Sequence, residues 1–245
     1  MRVIVLTLVL LASAAPSLAQ TPVPGRGFIN VNGGYRVTSS DFADAGSFPQ
    51  NAEQARFSTI YTVKNGPAFD VAGGMAIWQQ LGLGVGIART SRATAGALTG
   101  SVPHPFFFSR DRSVSGAVTG LTREELAVHL QATMIAPIGT RARVMLFGGP
   151  SFFQVTQDVV RDFTWTETYP YDVAAFSTAG TTRAKASKMG FHAGADIAVF
   201  FTRQFGLGAT VQFAGATVAL PAAGGAMLDI KAGGMTAGGG LRLRF

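Results

Sequence analysis

The residues with which this chain could do chemistry are few. Three histidines, His104, His129 and His192, stand among a scatter of carboxylates and arginines, and there is no cysteine. Two imidazoles (His129, His192) and two carboxylates (Glu125, Asp196) would suit a metal ion. A serine beside one of the histidines, oriented by a third group, would suit ester or amide hydrolysis of lipid. Neither chemistry finds its spacing. No His-x-x-x-His pair occurs, and no hydrolase motif surrounds any histidine. The runs Gly233-Gly234 and Gly238-Gly239-Gly240 lack the Lys-Ser/Thr and the following helix of a phosphate loop. The favoured reading is a structural polar network, with no catalytic residue, no metal, no cofactor and no enzymatic activity.

The elements that must position these residues are strands. The chain ends Leu241-Arg242-Leu243-Arg244-Phe245, where a period of two puts Leu241, Leu243 and Phe245 on one face and both arginines on the other. The same alternation runs through earlier segments. Leu126, Val128, Leu130, Ala132 and Met134 share a face opposite Glu125, His129, Gln131 and Thr133. Phe191, Ala193, Ala195, Ile197, Val199 and Phe201 face away from His192, Gly194 and Asp196. Leu81, Leu83, Val85 and Ile87 alternate with glycines, and Phe205, Leu207, Ala209, Val211 and Phe213 lie opposite Gly206, Gly208, Thr210 and Gln212.

Charged residues make up only 13% of the chain against 47% hydrophobic, with 31 glycines. That charge is about half the usual content of a soluble domain. The hydrophobicity is spread through alternating segments, as in a membrane barrel. Met1 to Ala19 carries one early charge (Arg2), an apolar run and a small-residue end, Ser17-Leu18-Ala19. It reads as a cleaved secretory signal followed by one domain over 20–245. The formal charge of +7 suits anionic headgroups or phosphates and does not indicate nucleic-acid binding.

Counting back from Phe245 as a periplasmic end, short turns fall at 202–204, 137–140 and 78–80. Long external loops are expected over about 92–122 and 159–183. Reading Lys64-Asn65-Gly66-Pro67 as a bulge inside one long strand, not a turn, gives an even number. The fold class is therefore all-β: an eight-stranded antiparallel up-and-down transmembrane β-barrel with strands extended beyond the outer surface. Eight strands leave room only for packed side chains, so Glu125, His129, Arg143, His192, Asp196, Arg242 and Arg244 are expected as an interior network, with both terminal arginines pairing with Glu125 or Asp196. Tyr35, Tyr61, Trp78, Phe201 and Phe205 are expected as an outward aromatic girdle.

The least generic stretch is Val102 to Arg112, with three consecutive phenylalanines. Phe106, Phe107 and Phe108 could pack on Tyr169-Pro170-Tyr171 of the facing loop, the favoured reading, or grip a ligand or the outer leaflet with Arg110 and Arg112 on lipid phosphates.

The alternating segments, Gly148-Gly149-Pro150-Ser151-Phe152-Phe153, Thr168-Tyr169-Pro170-Tyr171-Asp172 and the terminal Gly240 to Phe245 resemble the small outer-membrane β-barrel proteins of the OmpA/OmpX/OmpW-like eight-stranded group. The resemblance implies residence in the bacterial outer membrane, contact with its lipid and lipopolysaccharide, and Phe245 as a signal to the barrel-assembly machinery. Its functional implication is a structural or surface-interaction role through external loops above a plugged lumen. The alternatives are an OmpW-like narrow conduit for small hydrophobic solutes and, third, a lipid-modifying barrel enzyme.

Overall fold

A computed structural model of the protein describes residues 27–222, 225 and 227–245; the expected signal segment lies outside them. Ten strands follow in order: β1 (Gly27–Arg36), β2 (Ser40–Gln50), β3 (Glu53–Val63), β4 (Gly66–Trp78), β5 (Leu81–Pro103), β6 (Asp111–Ile138), β7 (Ala142–Glu167), β8 (Ala174–Phe200), β9 (Phe205–Pro221) and β10 (Met227–Arg244). They form one antiparallel sheet in which β1 pairs with β10, from Phe28↔Arg244 to Arg36↔Thr236, and β5 pairs with β6. The sheet is thus a ring. Closure satisfies the backbone groups that hydrocarbon could not.

The ten strands make eight walls. β3 and β4 lie end to end along an uninterrupted β5, with the break at Lys64-Asn65. β1 and β2 likewise lie end to end beside β4 and β3. The Lys64–Pro67 segment is therefore an interruption within one wall, and the expected even count holds.

Two expectations fail. Residues 92–122 and 159–183 are not long loops: β5 continues to Pro103, β6 starts at Asp111, β7 reaches Glu167 and β8 starts at Ala174. The reason is an inversion of polarity. In the lower barrel Leu83, Val85 and Ile87 face outward; higher on the same strand Leu98 and Val102 are buried while Ser91 and Thr99 face solvent. The upper strands form an extension with an apolar interior containing Phe57, Leu98, Val114, Phe153, Val155, Val159 and Phe163. Tyr61 belongs to that interior, not to a girdle. It is fully buried and stacked on Phe42 at 4.6 Å, and its hydroxyl accepts the Val160 N–H at 2.8 Å. Tyr35, Trp78, Phe201 and Phe205 are exposed.

The extension is not a closed ring. Pairing of β8 with β9 stops at Phe191↔Gly215, although β8 runs on to Ala174 along β7. Pairing of β1 with β10 stops at Arg36↔Thr236, with one more bond from Val37 N to the Met235 carbonyl. Beyond these points β9 and β10 pair only with each other. The chain turns where Gly233 and Gly234 take φ of 89° and 123°; a Cβ on Gly233 would collide with the Ala214 carbonyl oxygen, and one on Gly234 with the Thr38 hydroxyl. Only glycine fits both the conformation and the approach. The freed hairpin buries Val218, Leu220, Ile230 and Ala232 in the apolar core.

Backbone hydrogen exchange checks this description. Amides of the β1–β10 seam (28–36 and 236–244) should be protected as strongly as those of β6–β7. The β8 amides between 174 and 190 that point toward β9 should exchange orders of magnitude faster. Uniform protection along β8 would contradict the open upper seam.

Candidate functional site

The lower lumen is filled from the wall inward. Arg242, fully buried, donates through Nε to both oxygens of Asp196 at 3.2 and 3.0 Å, and its Nη2 also pairs with that carboxylate. Gly208 makes the space: a Cβ there would lie 2.7 Å from Arg242 Nε. Asn32 donates to Asp70 at 2.8 Å beside them. Arg143 is buried without a carboxylate partner among the described ion pairs; its guanidinium lies 5.6 Å from the Phe28 ring and 5.3 Å from Phe200.

Arg244 departs from the expected network. It is only partly buried, stacks on Phe200 at 4.1 Å and donates to the Arg203 carbonyl at 2.6 Å, so it closes the β8–β9 turn and pairs with no carboxylate among the described residues. One residue beyond Leu243, its wall is already at the barrel rim, where solvent reaches the guanidinium. Phe245 exchanges two backbone hydrogen bonds with Gly27 and leaves its ring exposed.

In mid-barrel, Ser151 Oγ lies 2.8 Å from His129 Nδ1 and 2.9 Å from His192 Nδ1. Ser151 stands opposite His129 across β6–β7, and Gly149 stands opposite His192 across β7–β8, where a Cβ would collide with the Leu130 carbonyl oxygen. This is the serine–histidine contact that no sequence spacing revealed. Its geometry is that of a clasp. Among the described residues neither imidazole has a hydrogen-bond partner at Nε2 and none of the carboxylates orients either ring, and the adjacent lumen cavity holds about 20 Å³. That is room for one water molecule, not a substrate.

Where the barrel meets the extension, Glu125 gathers three arginines. Arg123 Nε donates to it at 2.8 Å, Arg92 Nη2 pairs with the same oxygen, and Arg36 Nη1 lies 3.6 Å from the other. Gly233 N–H donates to Glu125 Oε2 at 3.0 Å, and Arg123 Nη2 to the Lys231 carbonyl. All four charged side chains are almost wholly buried. Glu125 was expected inside; Arg36, Arg92 and Arg123 were not. Arg123 shares the parity of Glu125, and Arg92 that of the inward glycines of β5, so parity carried the signal.

At the tip, the loops are short and tightly clipped. Arg112, buried, pairs with Glu167 and donates to the carbonyls of Tyr171 and Pro103, each at 2.9 Å. His104 Nδ1 accepts the Phe106 N–H at 3.1 Å, and Arg110 pairs with Asp172 at 2.8 Å. Phe106 meets Tyr171 edge-on at 5.5 Å, Tyr171 meets Tyr169 at 6.1 Å, and Phe107 lies 4.9 Å from the His104 ring with Arg110 over its face. The facing-loop contact exists, but it does not cover the rings. Phe106, Phe107, Phe108 and Tyr169 remain 69, 55, 77 and 85% exposed. Arg112 is a clip between loops and is not available to lipid phosphates; Arg110 is exposed.

Electrostatics outside the membrane follow these contacts. Burial lifts the Tyr61 hydroxyl to about 12, against the Val160 N–H that donates to it. Burial also pushes the Glu167 carboxyl upward. Hydrogen bonds from Arg112 and from the Trp165 indole, at 3.0 Å, outweigh it and hold the group below the usual carboxylate range.

No protein-family model and no curated protein matches the chain. Among solved structures it is similar to Neisserial surface protein A (11% identity, 89% of this chain and 97% of that one, TM-score 0.44). It is also similar to outer membrane protein OprG from Pseudomonas aeruginosa (13%, 91% and 97%, 0.46). A third is Ail, the attachment invasion locus protein of Yersinia pestis, in complex with the heparin analogue sucrose octasulfate (12%, 89% and 99%, 0.38). At such identity the likeness concerns architecture alone. The ring of eight antiparallel walls with an apolar outer band makes the chain a transmembrane β-barrel.

Two measurements check the site. Arg242→Leu leaves Asp196 buried and alone, and should lower stability toward urea by about 3–5 kcal/mol. Arg244→Leu loses an exposed stacking contact and should cost less than about 1 kcal/mol. Equal costs would contradict the separate roles of the two arginines. At the tip, the depressed Glu167 group stabilises the folded state fully above the unfolded value, near pH 4.3, and that contribution disappears as pH falls through the lower folded value. In a Trp78→Phe background, Trp165 emission should stay constant down to about pH 4 and change only below it.

Proposed function

We propose that the protein is a non-enzymatic resident of the bacterial outer membrane, delivered by cleavage of the signal at 1–19, that acts as a surface-contact barrel. Its lumen is a plug, and its work is done at the tip of a rigid extension. The observation that carries this reading is the exposure of Phe106, Phe107 and Phe108 on a loop whose backbone is otherwise locked. His104 and Arg112 are buried beneath them, and Arg110 is tied to Asp172. Aromatics with no fold to support cost solubility, and an exposed apolar patch on an ordered frame is what a contact surface requires.

The outer-membrane lipid and lipopolysaccharide surround the apolar band, and Phe245 serves the assembly machinery during biogenesis. Nothing in this reading involves nucleic acid. The OmpW-like conduit is disfavoured by the side chains that fill the lumen around a cavity of about 20 Å³.

Adhesion tests the proposal. Cells displaying the protein should stick to one another or to a surface of apolar and acidic character more than cells displaying the Phe106→Ser/Phe107→Ser/Phe108→Ser variant, at equal display and equal urea resistance. Equal adhesion of the two, across cell–cell and cell–surface assays, would contradict it.

A further inference from the structure

The arginine cluster and the open seam lie together. Three buried guanidinium groups face one carboxylate, Glu125, so the cluster carries an excess of two positive charges. Among the described residues, Arg36 Nε, Arg92 Nε and Arg123 Nη1 are buried without a hydrogen-bond acceptor, and Arg36 Nη1 has only its 3.6 Å ion pair with Glu125. Buried charge of one sign is costly unless an opposite charge arrives. Beside it, where β9 leaves β8, lies a cleft of about 640 Å³. Its lining includes the buried Arg92, the half-buried Thr38 whose carbonyl accepts from Arg92 Nη1 at 3.3 Å, the exposed Lys231, and the exposed rings of Phe191 and Phe213. Both phenylalanines belong to the exposed apolar band near its upper edge: Met189 and then Ser187 follow outward above Phe191, and Thr217 follows above Phe213. One wall of the cleft is therefore continuous with hydrocarbon and the other end is cationic.

We infer that this seam is a binding site for an anionic amphiphile, an acyl chain ending in a carboxylate or phosphate. The chain lies along Phe191 and Phe213, with the head drawn in between Lys231 and Arg92. Charge-assisted hydrogen bonds from guanidinium and ammonium groups to such a head are short and strong. The apolar lip excludes a small hydrophilic anion from the gain of chain burial, about 0.8 kcal/mol per methylene. The site is lateral, entered from the outer leaflet, and independent of the aromatic tip.

The test uses the full barrel in zwitterionic nanodiscs with spin-labelled palmitate, whose immobilised signal is read by paramagnetic resonance. An immobilised component is expected that unlabelled palmitate or a monoacyl phosphatidate displaces and hexadecanol or acetate does not. Displacement by palmitate alone assigns a free carboxylate ligand; displacement by the phosphatidate alone assigns a lipid headgroup. Either supports the site. Lys231→Glu, at an exposed position, should weaken binding about tenfold or more through loss and reversal of one charged contact. Ala216→Phe, which fills the cleft without touching a charge, should abolish the component. Both variants should retain the urea resistance of the parent. Absence of an immobilised component, displacement by hexadecanol as strong as by palmitate, displacement by acetate, or unchanged binding in both folded variants would overturn the inference.

Discussion

The structure turns on one carboxylate. Glu125 on β6 accepts from Arg123 of its own strand, pairs with Arg92 of β5 and Arg36 of β1, and accepts the Gly233 N–H of β10. Four of the eight walls meet there. Removing it would leave three buried cations facing one another, a cost far above that of losing any single hydrogen bond. It would also release the bend at Gly233, which directs the β9–β10 hairpin onto the extension core. The position of Glu125 fixes the height at which a polar-filled membrane barrel becomes an apolar-filled extension beyond the bilayer.

That change of filling follows from the change of solvent. Within the bilayer the outer face must be apolar, and the inner face takes what eight walls leave room for: glycines, Arg242 with Asp196, Asn32 with Asp70, and the Ser151 clasp between two imidazoles. Above the bilayer water is outside, so the hydrophobic effect reverses the preferred face. Phe57, Phe153, Phe163 and their neighbours then form an ordinary protein core inside the same tube. The extension owes its stiffness to that core, and the short loops at its end owe theirs to Arg112 and His104. A rigid stalk with exposed phenylalanines at its tip is the result.

Much of this was legible in the sequence. Period-two alternation located the membrane walls, and the rule that turns alternate sides selected eight walls and read Lys64–Pro67 as an interruption. That strands project beyond the outer surface was legible, but their course through 92–122 and 159–183 was not, because outward apolar residues mark a strand only inside the bilayer. Leu98 and Val102 share the parity of Gly82, Gly84 and Gly86, so the β5 strand continued in the sequence with its faces exchanged. Arg92 falls within the supposed loop, and Arg123 between its end and the strand read from Glu125. Other features depend on register between distant strands. The contact of Ser151 with both histidines depends on how β6, β7 and β8 register, and the inward turn of the top hairpin needs Gly233 and Gly234, which look like any other glycines of β10. Arg244 alternates with Arg242 but stands at a rim, where alternation no longer separates lumen from solvent.

The central claim is that this barrel is filled and works at its surface and wall, not through its lumen. Ion conductance of the purified protein in planar bilayers tests it most directly. A flat baseline, with insertion verified by protease protection of the same membranes, is the predicted result. Reproducible unitary conductance steps would contradict it.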